Sequence, residues 1–203
     1  MKKYVVIFVI VSGVALLACH VGHGCGGDMA QKEVTNNQQT ESDARARREV
    51  AVFGAGCFWG VEEVFAKLPG VIATEVGYAG GTREKPTYED VKTGTTGHAE
   101  AVRIEFDPAT ISYEALLKIF WESHDPTTPN RQGPDVGTQY RSVIFYEDAT
   151  QKRLAEESKA RREKSKTYPR SIVTEIVPMG EFWRAEEYHQ KYFEKHGGSS
   201  CHI

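Results

Sequence analysis

Cysteine is scarce: four in 203 residues. That is far too few for the disulfide scaffolds that stabilise small secreted domains. Charge of one sign is not in excess either. Lys and Arg number 25 against 28 Asp and Glu, a net charge of −3 with a pI near 6.2. Polyanion binding is therefore excluded as the default, and no nucleic-acid partner is expected. The longest apolar run, Tyr4 to Leu17, has 14 residues, short of the roughly 20 that span a bilayer as a helix. No internal repeat is visible. What is there is a composition 40% hydrophobic and 26% charged, with three Trp, nine Tyr and nine Phe. Most of the chain should fold around a core.

The N-terminus reads as an address. Lys2 and Lys3 precede the apolar run, which closes with Leu16-Leu17-Ala18-Cys19. A basic start, a short apolar stretch and small residues are the layout of a secretory signal over residues 1–18. The closing residues resemble the lipobox of bacterial lipoproteins, in which the cysteine becomes the new N-terminus and carries lipid. Cys19 is then a lipid anchor that ties the protein to a membrane by acyl chains. An ordinary cleaved signal with a coincidental cysteine is the other reading. Export to the bacterial envelope, the periplasm, follows from both. Residues 19–48 turn to Gly, Gln, Asn, Thr and charge without apolar periodicity, as in a flexible tether. His20, His23 and Cys25 lie in it but have no preset geometry for a metal, and Cys25 has no assigned role.

From Val50 the pattern changes. Val50-Ala51-Val52-Phe53 is a short continuous apolar run that suits a buried strand. Phe58, Val61, Val64, Phe65 and Leu68 recur at helical spacing until Pro69-Gly70. Strands are expected at Ala73 to Tyr78, around Val102-Ile104-Phe106, at Ser142 to Tyr146 and at Ile172 to Val177. Ser112 caps a helix carrying Leu116, Leu117, Phe120 and Trp121, and further helices are expected over Thr150 to Lys166 and Arg184 to His196. A long loop runs from His124 to Thr138, and loops of that length are usually functional or mobile. The sum is one α+β domain at residues 49–196 and a loose tail at 197–203.

The most informative segment is Gly56-Cys57-Phe58-Trp59-Gly60, between a strand and a helix. A cysteine at a helix N-terminus meets unpaired N–H groups and the positive end of the dipole, which favour the reactive thiolate. A buried, inert cysteine is the alternative. Gly97-His98-Ala99-Glu100, His124-Asp125-Pro126 and Asp135-Val136-Gly137-Thr138-Gln139-Tyr140-Arg141-Ser142 follow, and each taken singly has a bland explanation.

In this order and at these spacings, the segments resemble the A class of peptide methionine sulfoxide reductases, specific for the S epimer. Phe182-Trp183 and Ala185-Glu186-Glu187-Tyr188-His189-Gln190 resemble that family's C-terminal region. The resemblance covers residues 49–196. It implies a ferredoxin-like α/β sandwich with a mixed sheet and a flexible C-terminal tail. It also implies that Cys57 attacks the sulfoxide sulfur and that Glu100 is the acid, its pKa raised by desolvation beside Phe58 and Trp59. Tyr88 and Tyr140 would hydrogen-bond the sulfoxide oxygen, Asp135 would organise the site, and Phe58 and Trp59 would hold the S-methyl group. Attack leaves a sulfenic acid, which condenses with a nearby thiol. Cys201 is the expected resolving cysteine, with a plain tail thiol as the other reading. The expected partners are oxidised proteins and a thioredoxin-like reductant of the envelope. No metal or other cofactor is expected, and the enzyme should act as a monomer. Two rival functions are a hydrolase using Cys57 with His98 or His189 and Asp135, and a non-enzymatic lipoprotein that binds through its aromatic surface.

Overall fold

The computed structural model describes residues 48–198; Cys19, Cys25 and Cys201 lie outside them. Strand β1 (Glu49–Ala55) leads into helix α1 (Phe58–Ala66) and then strand β2 (Val71–Ala79). Helix α2 (Tyr88–Lys92), strand β3 (Ala99–Phe106) and helix α3 (Tyr113–Glu122) follow. A small hairpin of β4 (Arg131–Gln132) and β5 (Asp135–Val136) precedes β6 (Ser142–Tyr146) and helix α4 (Ala149–Lys164). Strands β7 (Glu175–Pro178) and β8 (Phe182–Arg184) and helix α5 (Tyr192–His196) end the described chain.

Six strands form one sheet in the order β7-β6-β1-β3-β2-β8. All neighbours are antiparallel except β6 and β7. The four central strands are joined as β1-α1-β2-β3-α3-β6, which is the split βαβ arrangement of the ferredoxin-like fold. The α+β class and the mixed sheet expected from the sequence are therefore present.

Burial explains why β1 reads as a continuous apolar run. Ala51, Phe53 and Ala55 enter the main core beneath α1 and α3, whereas Val52 faces a second cluster with Ala79, Ala101, Val143 and Phe145. A strand covered on both faces has no polar side to alternate. In β3 the alternation survives. Val102, Ile104 and Phe106 are fully buried, and Arg103 and Glu105 are only half-buried. Ser112 Oγ accepts the Ala115 N–H at 3.2 Å and caps α3, whose Leu116, Leu117, Phe120 and Trp121 fill the core.

The long loop is pinned where it leaves α3. The buried His124 ring donates through Nδ1 to Phe120 O and meets Ser142 Oγ through Nε2, both at 2.7 Å, and Ser142 is in turn 2.7 Å from Thr174 Oγ1. Burial lowers the His124 pKa to about 4, so the ring is neutral and each nitrogen has one role. His124-Asp125-Pro126 thus acts as a structural anchor that ties the loop to β6 and to the segment before β7.

Besides the short β4–β5 hairpin inside the expected loop from His124 to Thr138 and the unexpected β8, three elements differ from the sequence expectation. The expected strand from Ile172 begins only at Glu175, because Val173 N and the Thr174 hydroxyl are used by Pro126 O and Ser142. Helix α2 forms where no element was expected; Thr87 and Asp90 close a capping box at its start. The helix expected over Arg184 to His196 is instead the end of β8, a run of turns and the short α5. Its helical periodicity loses to tertiary hydrogen bonds. Gln190 accepts from Val76 N at 3.0 Å and donates to Val76 O and Ala185 O at 2.9 Å, which fastens the segment to the edge of β2.

Candidate active site

Strand β1 ends at Ala55, and α1 begins three residues later at Phe58. Gly56 makes that corner at φ +96°, and a Cβ there would lie 2.7 Å from Gln132 Cγ. Glycine is required on both counts. The Gln132 amide is itself held against the Asp125 backbone, accepting from N at 2.9 Å and donating to O at 3.0 Å. Cys57 takes the N-cap position of the nine-residue α1, and its carbonyl accepts from Val61 N. The Cys57 side chain is half-buried. Its place at the positive end of a helix lowers the cost of ionisation.

Glu100 is the second residue of β3, across the sheet from Tyr78. It is 3% exposed, and its Oε2 accepts the Phe58 N–H at 3.0 Å. That N–H is the first of α1, so the carboxyl is fixed at the same helix terminus as Cys57. Burial pushes its pKa from 4.5 up to about 8; the Phe58 hydrogen bond opposes this and the Asp135 charge adds to it. At neutral pH Glu100 carries its proton.

Two tyrosines and an aspartate reach the same place from three other segments. Tyr88 opens α2, Asp135 lies in the β4–β5 hairpin opposite Gln132, and Tyr140 closes a 3-10 turn over Thr138–Tyr140. Burial raises both phenol pKa values, and the nearby charges of Glu100 and Cys57 raise them further. Both hydroxyls therefore remain protonated donors. The arrangement sets a thiolate-prone sulfur, a protonated carboxyl and two hydroxyl donors around one point.

The apolar side of the site comes from Phe58, which is buried, and Trp59, which is half-buried. Their support is His189. Trp59 Nε1 donates to His189 Nδ1 at 3.1 Å, and the imidazole lies 5.1 Å from the Phe58 ring and 4.8 Å from that of Tyr88. Tyr192 of α5 stacks on Trp59 with ring centroids 3.8 Å apart and the rings nearly parallel. With Nδ1 accepting, the neutral ring carries its proton on Nε2 and has no lone pair left to act as a base. That removes His189 from the hydrolase reading. Glu186 completes the support by accepting Tyr88 N–H at 2.8 Å and Tyr78 O–H at 2.9 Å.

A family model for peptide methionine sulfoxide reductase matches residues 49–203. A peptide methionine sulfoxide reductase MsrA from Methanoculleus marisnigri is 61% identical over 153 residues, covering 75% of this chain and 93% of that protein. The chain belongs to the peptide methionine sulfoxide reductase family. The MsrA of Geobacter sulfurreducens is 59% identical, over 75% of this chain and 94% of its own. Among solved structures, Mxr1 from Saccharomyces cerevisiae in reduced form matches with a TM-score of 0.72 at 34% identity, covering 77% of this chain and 90% of that one. The protein is a peptide methionine sulfoxide reductase and thus an enzyme.

Of the residues singled out in the sequence, Cys57, Phe58, Trp59, Tyr88, Glu100, Asp135 and Tyr140 come together in this reductase fold. Sequence reasoning gave no role to Glu186, Gln190 and Tyr192. The signal for the first two was the run Ala185 to Gln190, where helical spacing concealed side chains that bond to β2 and to the start of α2.

The buried carboxyl has a consequence for stability. Between its ordinary pKa of 4.5 and the folded value of about 8, Glu100 is ionised in the unfolded chain and protonated in the folded one. Folding then takes up a proton, so this contribution falls as pH rises and levels off above about 8. Glu100→Gln removes it. The melting temperature of the variant relative to the parent should climb from about pH 5 to about pH 8 and then hold. A difference that stays flat across this range would mean an unshifted carboxyl.

Proposed function

We propose that this reductase converts the S epimer of methionine sulfoxide, in oxidised proteins and as the free or blocked amino acid, back to methionine. The observation that carries the mechanism is the buried Glu100 carboxyl held by the first amide of the helix that Cys57 caps, where burial raises its pKa and keeps it protonated. Cys57 sulfur attacks the sulfoxide sulfur while Glu100 gives its proton to the oxygen, which Tyr88 and Tyr140 orient by their hydroxyls. Phe58 and Trp59 take the methyl group, and Asp135 keeps the opposite wall polar. The oxygen passes to Cys57: the methionine sulfur gains two electrons and the cysteine sulfur loses two, becoming sulfenic acid. The Cys201 thiol, carried on a Gly/Ser tail, then displaces that hydroxyl as water and leaves a Cys57–Cys201 disulfide. A dithiol of the thioredoxin type reduces this bond and is itself oxidised. Mxr1 has been solved in complex with Trx2, which motivates the same class of partner here.

The place of work in this proposal is the bacterial envelope. Lys2, Lys3, the apolar run and Leu-Ala-Cys19 support export and lipid on Cys19, with the catalytic domain held on a tether as a monomer to repair oxidised envelope proteins. Mass spectrometry of protein extracted from membranes should find a chain beginning at Cys19 with acyl mass added. An unmodified Cys19, or an intact leader, would contradict the anchor.

Separated S and R epimers of blocked methionine sulfoxide, supplied with dithiothreitol, test the chemistry. Only the S epimer should turn over, and Cys57→Ser should abolish the reaction. Glu100→Gln should lose about 10²–10⁴ in rate, the usual worth of a general acid. In the parent, turnover should fall as pH rises through about 8, where Glu100 loses its proton. With thioredoxin in place of dithiothreitol, Cys201→Ser should release one methionine per enzyme and stop. Turnover of both epimers, or multiple turnovers in that last variant, would contradict the reading.

A further inference from the structure

Tyr188 is the only exposed Phe, Trp or Tyr among the described residues, 58% exposed where the other rings are buried or half-buried. A single exposed aromatic needs no explanation by itself. Its setting does. The ring lies 4.2 Å from the His189 ring, on the imidazole that also touches Phe58, Trp59 and Tyr88. It therefore stands at the rim of the apolar side of the site.

The segment that presents it is held on both sides. Glu186 accepts Tyr88 N–H and Tyr78 O–H, and His189 is buried. Gln190 makes three hydrogen bonds to Val76 and Ala185, and the Lys191 N–H donates to the buried Glu62 at 2.8 Å. Glu187, next to Tyr188, pairs with Arg184 and Lys195. A tyrosine on a surface turn is ordinarily mobile, and stopping it on a ligand costs entropy. Here the backbone on either side is fixed by buried partners, so the ring is preorganised.

Methionine's short side chain leaves the substrate backbone and its neighbouring residues close above the pocket, over this rim. We infer that Tyr188 is a binding residue for polypeptide substrates, packing its exposed face on an apolar or aromatic side chain adjacent to the methionine sulfoxide. The inference rests on the proposed reaction and adds a preference for the residues flanking the reacting one. Rigid amphipathic rings serve such contacts well, and an aromatic contact of this kind changes affinity by about fivefold to tenfold.

The test compares two substrates on the same protein: blocked methionine sulfoxide, and a short peptide with phenylalanine on each side of the sulfoxide. Tyr188→Ala should raise KM for the peptide by about fivefold to tenfold with kcat maintained, leave KM for the blocked amino acid in place, and be rescued by Tyr188→Phe. Equal losses on both substrates would assign Tyr188 to the support of His189 and overturn the inference, as would unchanged KM on both. Failure of the parent protein to reduce either substrate would instead defeat the proposed reaction, so the two failures are distinguishable.

Discussion

A carboxyl buried at the mouth of a helix makes a demand on everything around it. Glu100 is nearly sealed from solvent, with the Phe58 amide as its hydrogen-bond donor, and Phe58 follows directly on Cys57. Ionised, it would be a charge in a desolvated place and would also repel a thiolate at Cys57. Neutral, it coexists with that thiolate and has a proton to give. Holding it neutral requires β1 and β3 to pair in one register, α1 to start at one residue and Gly56 to turn the corner. The central sheet and the first helix thus act as a device for placing one acid beside one sulfur.

The second constraint is how the apolar wall is kept in place. Trp59 is half-exposed at the edge of α1 and would have rotamer freedom on its own. Its indole is fixed between the His189 acceptor and the Tyr192 stack, both from the C-terminal segment. That segment is locked by carboxylates and amides rather than by helical hydrogen bonds: Glu62 holds the Lys191 N–H, Gln190 mimics a strand partner for Val76, and Glu186 bridges Tyr78 to α2. Glu62 and Gln190 are buried and Glu186 is half-buried, and the loss of any of them would leave a partner without its hydrogen bond.

Much of this was legible in the amino-acid sequence, for physical reasons. The unbroken apolar run of β1, the alternation in β3 and the Ser112 cap of α3 are local signals, and the structure contains all three elements. The glycine frame of Cys57 was equally visible, since a positive φ and a close approach by Gln132 leave little choice of residue. Bringing Tyr88, Glu100, Asp135 and Tyr140 together was not a matter of periodicity. Those residues come from four separate segments, and only the family resemblance connected them. The C-terminal segment was misread as a helix because its hydrophobic spacing is helical while its hydrogen bonds are long-range. Sequence windows carry no information about a glutamine that pairs with a strand 114 positions away.

The central claim is that Glu100 is protonated in the resting enzyme at neutral pH. Infrared difference spectroscopy of the reduced protein, with Glu100→Gln as the reference, observes that proton directly as a carboxylic C=O stretch. The account predicts a band present at pH 7 that titrates away with a midpoint near 8. A carboxylate signal already complete at pH 7, with a midpoint near the ordinary 4.5, would contradict it.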